Sequence, residues 1–151
     1  LTMKSKVNEI AISYNGSTKA NLLPKITCSQ SAADLAYSHW NKETIELHET
    51  FKILLLNNAN KVKGIYEVSN GGITGTLVDV RILFAVLLKS LTTAVILLHN
   101  HPSGTLKPSE ADKRLTKKIK KAGELFDIKI LDHLILTPDG DYYSFADNGI
   151  L

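Results

Sequence analysis

The sequence predicts an α/β (α+β layered) domain, in which a mixed β-sheet is flanked by helices. Two patterns predict this class: a β-hairpin in the first half, and strand-length apolar runs that then alternate with helix-length segments. The chain has 151 residues, of which 44% are hydrophobic, so it is long enough to bury one core. We therefore expect a single globular domain.

The first third of the chain predicts a short strand and a helix. Residues 7–14 alternate loosely between apolar and polar side chains, which favours a strand, and Asn15-Gly16-Ser17 favours a turn after it. The segment Ser31–Asp34 is typical of a helix start. The apolar side of this helix would be formed by Leu35, Ala36, His39 and Trp40.

A β-hairpin and a buried helix follow. Phe51–Leu56 predicts a strand, Asn57–Asn60 a turn, and Val62–Ser69 the antiparallel partner. Residues 80–91 are almost entirely apolar, which is typical of a helix that is buried on several sides.

The second half alternates between strands and one long helix. Ala94–Leu98 is a strongly apolar run that predicts a strand, and Lys129–Leu136 predicts another. Pro138–Asp141 predicts a turn, and Tyr142–Phe145 a final short strand. Between the two longer strands, Ser109 begins a helix with one apolar stripe at a spacing near 3.6, formed by Ala111, Leu115, Ile119, Ala122 and Phe126.

The most informative segment is His99-Asn100-His101-Pro102-Ser103-Gly104, followed by Asp112. Residues two apart on a strand point to the same face, and Pro102 should end the strand and leave both imidazoles at its edge. Two imidazoles and a nearby carboxylate make a three-ligand zinc site with the fourth position open for water, which is the catalytic pattern. The alternative is a surface His-x-His pair without a function.

Two further motifs each allow a structural and a functional interpretation. Ser109-x-x-Asp112 resembles a capping box, and a helix start would also fix where the Asp112 carboxylate points. Asp132-His133 predicts a buried hydrogen-bonded pair, or a group that orients a zinc-bound imidazole through its other ring nitrogen.

Charge and cysteine content restrict the kinds of binding partner and of cysteine site that the sequence allows. The formal net charge of +3 permits a nucleic-acid or acidic partner without predicting one. The basic run Lys113–Lys121 favours a solvated helix face, with a nucleic-acid surface as the alternative, although no aromatic residues interleave with it. A single cysteine, Cys28, excludes an internal disulfide and four-cysteine zinc sites, and we expect it to be buried or half-buried.

The sequence also predicts a cytoplasmic protein. No apolar stretch approaches the roughly 18 residues of a membrane span. The first residues lack the apolar region of a signal peptide.

The motif around His99 and Asp112 resembles the JAMM metal motif of the JAB/MPN metalloprotease-like fold, which has a cytidine-deaminase-like architecture. More narrowly, the chain resembles the RadC family, historically named as DNA repair proteins, over about residues 30 to 151. The resemblance divides the chain into an N-terminal extension, 1–30, and a RadC-like domain, 31–151. It implies a short form without the helix-hairpin-helix-like region of longer RadC proteins. Other matching segments are Asp79-Val-Arg81, Leu115-Thr116, Asp127–His133 and Tyr143–Asp147.

The resemblance implies a role for each motif position. His99, His101 and Asp112 match the zinc ligands, and Ser109 matches a serine that helps to hold an oxyanion. Glu49, just before the first central strand, matches the general base; by spacing alone, Glu43, Glu46 and Glu67 are rivals for this carboxylate.

The function implied by the resemblance is zinc-dependent hydrolysis of an amide or isopeptide bond in an unidentified peptide or protein. The alternatives are a DNA-associated protein and a non-catalytic MPN scaffold.

Overall fold

The computed structural model describes residues 5–11, 14–72 and 75–151, and within them a mixed five-stranded sheet lies between helices. The elements are a 3-10 helix (Ala20–Leu22), α1 (Ser29–Ser38), β1 (Thr50–Leu56), β2 (Val62–Asn70), α2 (Val80–Lys89), β3 (Ala94–Asn100), α3 (Glu110–Leu125), β4 (Lys129–Leu136) and β5 (Tyr142–Ser144). The strands are ordered β2-β1-β3-β4-β5, and among these pairs only β3–β4 is parallel. The predicted fold class is therefore confirmed.

The central strand β3 is buried along its whole length, because helices cover both faces of the sheet. Ile96 and Leu98 pack on the face covered by α1, whereas Val95 and Leu97 pack on the face covered by α2 and α3. This two-sided burial explains why the strand is a continuous apolar run rather than an alternating one. His99 continues the α3 side, opposite Phe51 of β1.

The predictions for the N-terminal region are wrong in two places. Residues 5–11 and Tyr14 have no strand structure, and Val7 and Ile10 are exposed, since no neighbouring element packs on them; Ile12 and Ser13 of the predicted strand lie outside the described residues. Cys28 is exposed rather than buried or half-buried, and it directly precedes α1, which begins two residues earlier than predicted. Cys28 becomes the N-cap, and the Ser31 hydroxyl accepts from its backbone amide at 3.2 Å.

The long elements are close to their predicted bounds. The hairpin of β1 and β2 and the strand β4 are confirmed. Helix α2 forms but ends at Lys89, and it is buried on one side rather than on several, since Ile82 and Leu88 are exposed. Strand β3 continues two residues beyond Leu98, and β5 ends one residue before Phe145. Ser109 is the N-cap of α3, as the capping-box pattern predicts.

Asn100, the residue between the two motif histidines, holds the start of β1 against the end of β3. Its side-chain amide donates to the carbonyl oxygens of Ile45 (2.8 Å) and His48 (3.0 Å), and its carbonyl accepts from the Thr50 amide (2.7 Å). Asn100 is fully buried. One side chain thus satisfies three backbone groups and fixes the segment that carries Glu49.

We expect N100A to lower the free energy of unfolding by about 3 kcal/mol, because it leaves three backbone groups without their partner. Urea unfolding measures this loss. N58A, in the exposed β1–β2 turn, is the matched control and should stay within about 0.5 kcal/mol of the unsubstituted protein. Equal stability of N100A and N58A would contradict this role of Asn100.

Candidate metal centre

Four side chains from three parts of the chain converge at the end of β3. His99 is on β3, His101 follows it, Asp112 is in the first turn of α3, and Glu49 directly precedes β1. One donor atom from each lies within 4.8 Å of the other three. The structure therefore brings the three predicted metal ligands and the predicted base together.

The three predicted ligands have spacings that suit a divalent metal. The Nε2 atoms of His99 and His101 are 3.0 Å apart, and each lies 3.4 Å from an oxygen of Asp112. Ligands bound tetrahedrally at Zn²⁺ lie roughly 3.3–3.5 Å from one another. Two imidazoles and a carboxylate are also the donor types that such an ion takes.

Both histidines present Nε2 to the cluster and use Nδ1 elsewhere. Nδ1 of His101 lies 2.7 Å from the Thr105 carbonyl oxygen, which can only accept, so Nδ1 carries a proton and Nε2 is the nitrogen that a metal could bind. Nδ1 of His99 lies 2.7 Å from Nε2 of His133. His99 is buried, and its ring stacks on Phe51 with 9° between the planes.

Asp112 serves the helix and the cluster at the same time. Its backbone amide donates to the Ser109 hydroxyl (3.0 Å), and its Oδ2 accepts from the Ser109 amide (2.8 Å), which completes the capping box. Burial tends to raise the pKa of Asp112, but hydrogen bonds with His101 and His99 and the Ser109 amide outweigh it and hold the pKa far below its usual range. The carboxylate is therefore ionised, as metal binding requires.

Glu49 is the glutamate that the structure places beside the histidines. Its Oε1 lies 3.6 Å from Nε2 of His99, and its side chain is 12% exposed. Burial raises the pKa of Glu49, and the nearby His99 and His101 oppose that shift. The rivals Glu43 and Glu46 are exposed on the turn before β1, and Glu67 is exposed on β2.

A cleft of about 560 Å³ lies over the cluster. Glu49, His101, Asp112 and Ser109 all line it. The Ser109 hydroxyl accepts a hydrogen bond from Asp112 and keeps its own proton for donation. The hydroxyls of Thr76, Ser103 and Thr105 also belong to residues that line the cleft.

The two side chains of the Asp132-His133 motif make different contacts. The Asp132 carboxylate accepts from the Ser144 hydroxyl (2.6 Å) and from the backbone amides of Ala146 (3.0 Å) and His133 (2.7 Å), so it fixes the chain around β5. The His133 ring instead lies against His99. This contact favours the interpretation in which His133 orients a metal-bound imidazole.

His133 is neutral in this setting. It is fully buried, and burial lowers the pKa of its imidazole well below the usual value, with a further lowering from His99. Its ring stacks on Phe145, with 4.5 Å between the centroids.

Sequence reasoning missed Thr116 as part of this site. Its hydroxyl lies 2.6 Å from Nδ1 of His133 and donates to the Asp112 carbonyl oxygen at 2.7 Å. The available signal was a polar residue beside Leu115 and Ile119, on the inward side of α3. Thr105 was also missed, since it acts through its backbone.

The basic face of α3 lies apart from the cluster. Lys113, Arg114, Lys117, Lys118, Lys120 and Lys121 are all exposed, as a solvated face predicts. Nucleic-acid binding by this face stays a prediction, and so does the cytoplasmic location. In the part of the chain that the structure describes, no helix is long and apolar enough to span a membrane.

Comparisons with known proteins identify the family. A family model described as "RadC-like JAB domain" matches residues 26–150. A UPF0758 protein of Flavobacterium johnsoniae is 59% identical over 103 residues, which are 68% of this chain and 44% of that protein. UPF0758 proteins of Porphyromonas gingivalis and Pelobacter propionicus are 45% and 41% identical over 103 residues, again 68% of this chain and 45% and 44% of those proteins. The match thus spans somewhat less than half the length of these relatives. The chain belongs to the RadC-like JAB domain family.

Proposed function

We propose that this domain is a zinc-dependent hydrolase of the JAMM type, which cleaves an amide or isopeptide bond with a metal-activated water. The observation that carries the proposal is the convergence of His99, His101, Asp112 and Glu49 beneath an open cleft. Three of these residues suffice to hold Zn²⁺ with a fourth position open, which is how catalytic zinc sites differ from structural ones. The fourth residue, Glu49, is then available for proton transfer.

Each residue has a distinct task in this reaction. A bound Zn²⁺ supplies Lewis-acid polarisation and lowers the pKa of water. The Glu49 carboxylate takes a proton from the attacking water as the carbon–oxygen bond forms, and it gives that proton to the leaving amine as the carbon–nitrogen bond breaks. The Ser109 hydroxyl donates to the former carbonyl oxygen, where negative charge develops.

The shape of the cleft and the fold together indicate the substrate class. A cleft open to solvent admits a chain segment rather than only a small molecule. The amide or isopeptide bond itself is proposed by analogy with the fold. A DNA-associated function and a non-catalytic scaffold remain the alternatives, and the first experiment separates the scaffold from the hydrolase.

We expect the purified domain to bind about one Zn²⁺ per chain, and H101A and D112A to lose it, because each removes one of three ligands. Inductively coupled plasma mass spectrometry, with a zinc titration of chelator-treated protein, measures this. H39A removes an exposed histidine at the end of α1 and should bind zinc normally. If the unsubstituted domain does not bind added zinc, this result would favour the non-catalytic scaffold.

E49Q should keep the zinc and lower the turnover number by about 10²- to 10⁴-fold, because the amide is nearly isosteric but cannot accept the proton. Zinc content and cleavage of a panel of peptide and isopeptide substrates are measured on the same preparation. E46Q, an exposed position on the preceding turn, is the control. Loss of zinc in E49Q would make Glu49 a ligand, and an unchanged rate would remove it from the mechanism.

S109A should lower turnover by about 10²-fold through loss of the oxyanion donor, and stability by about 1 kcal/mol through loss of the helix cap. S109G separates the two effects, since glycine at an N-cap costs only a few tenths of a kcal/mol. Turnover and urea unfolding are measured for both variants. If S109G turns over normally, the hydroxyl has no role in the reaction.

A further inference from the structure

A groove of about 450 Å³ lies between α3 and the segment that follows β5. The charged residues that line it are four lysines and one glutamate, which leave an excess of three positive charges: Lys113, Lys117, Lys120, Lys121 and Glu124. Thr116, Ile150 and Leu151 complete the lining. The proposed reaction uses none of these charges.

The wall that faces α3 is fixed by contacts with the rest of the domain. Leu151 packs against the core cluster beneath α2 and α3, and its carbonyl oxygen accepts from Nζ of Lys120 at 3.1 Å. The Ile150 amide donates to the Phe145 carbonyl oxygen at 3.0 Å. Ile150 is nevertheless 41% exposed. The groove therefore combines lysines with accessible apolar surface.

The lysines of the groove form a stripe along α3 that is only partly neutralised. Lys113, Lys117 and Lys121 are spaced four residues apart, so they are neighbours on one side of the helix, where like charges repel one another. Lys113 pairs with the exposed Glu110 at 3.3 Å. Within the described residues, no carboxylate lies at ion-pair distance from the other two. An anionic partner would relieve this repulsion.

The size and the chemistry of the groove favour an acidic peptide over nucleic acid. The lysine stripe rises about 12 Å along α3, a length that about four residues of extended peptide would span. None of the lining residues is aromatic, whereas single-stranded nucleic acid stacks its bases on aromatic side chains. Ile150 and Leu151 can pack against an apolar side chain of a peptide, but a phosphate backbone gains nothing from them. Glu124 ends the positive stretch.

The groove and the cleft over the metal cluster adjoin each other at the first turn of α3. Ala111 and Asp112 line the cleft, and the next residue, Lys113, lines the groove. We propose that the groove binds an acidic segment of the protein substrate that also carries an apolar side chain, and so holds this substrate beside the cleft. The identity of the partner as a substrate rests on the proposed function, whereas binding in the groove requires no metal.

Fluorescence anisotropy of a labelled peptide, measured in the presence of a chelator, tests the groove directly. The probe is Glu-Glu-Leu-Glu-Glu-Leu, and the control peptide has glutamine in place of every glutamate. We expect the acidic probe to bind about tenfold more tightly, because each ion pair with an exposed lysine adds a small gain. Added salt should weaken the acidic probe. Equal affinity of the two peptides would overturn the proposal.

Two double variants with the same change in net charge locate the binding surface. K117E/K121E reverses two lysines of the groove, and R114E/K118E reverses two exposed residues of α3 that do not line it. We expect the first to weaken the acidic probe about tenfold or more, and the second less than about threefold. Equal weakening would mean that the probe senses only the overall charge of the helix, which contradicts a specific groove.

The apolar part of the groove separates a peptide from other anions. I150S should weaken the acidic probe about fivefold, because an apolar contact is lost. Serine in place of both leucines of the probe should have the same effect on the unsubstituted domain, so the test does not depend on folding of the variant. A probe that binds equally well without its leucines would overturn the proposal. So would a short DNA duplex that binds more tightly than the probe and loses this affinity in K117E/K121E.

The two proposals fail in different ways. If the domain binds no zinc but binds the acidic probe in a manner that K117E/K121E weakens, the hydrolase is refuted and the groove remains a peptide-binding site. If the domain binds zinc but K117E/K121E and R114E/K118E bind the probe equally, the groove is refuted and the metal site stands.

Discussion

The site depends on the burial of one strand, β3, between β1 and β4. Hydrogen bonds on both edges and helices on both faces fix its register, so successive side chains at its end point to opposite sides of the sheet. His99 points to the α3 side and becomes a ligand. Asn100 points to the α1 side and binds the segment that leads to Glu49. A shift of one residue in this register would exchange the two side chains and destroy both arrangements.

Helix α3 supplies the complementary half of the site from a single face. Ser109 caps the helix, Asp112 lies one turn further and Thr116 a second turn further. The cap therefore orients the Asp112 carboxylate, and the same helix carries the Thr116 hydroxyl, which contacts His133. Because a helix is rigid along its axis, these three positions cannot adjust independently. The polar groups that begin the helix also define the chemistry of the cleft.

The sequence could predict what depends on local periodicity and spacing. The hairpin, α2, α3 and β4 follow from apolar patterns of the right period, and His99, His101 and Asp112 from a spacing that suits a metal. The predicted strand at 7–14 is wrong within its described residues, where the apolar side chains of Val7 and Ile10 are exposed, and Cys28 is exposed at the N-cap of α1 rather than buried or half-buried. The choice of Glu49 over Glu43, Glu46 and Glu67, and the roles of Thr116 and His133, depend on contacts between distant parts of the chain. No local pattern encodes such contacts.

Burying so many polar groups beneath the cleft is costly unless each one finds a partner. Within the described residues, every fully buried side-chain nitrogen or oxygen has a hydrogen-bond partner. Phe51 and Phe145 then hold the rings of His99 and His133 by stacking, which leaves these imidazoles little rotational freedom. A metal that binds here meets ligands that are already oriented, so little of its binding free energy is spent on ordering them. The same burial makes the arrangement sensitive to substitution, because loss of the Thr116 hydroxyl would leave Nδ1 of His133 without its hydrogen-bond partner.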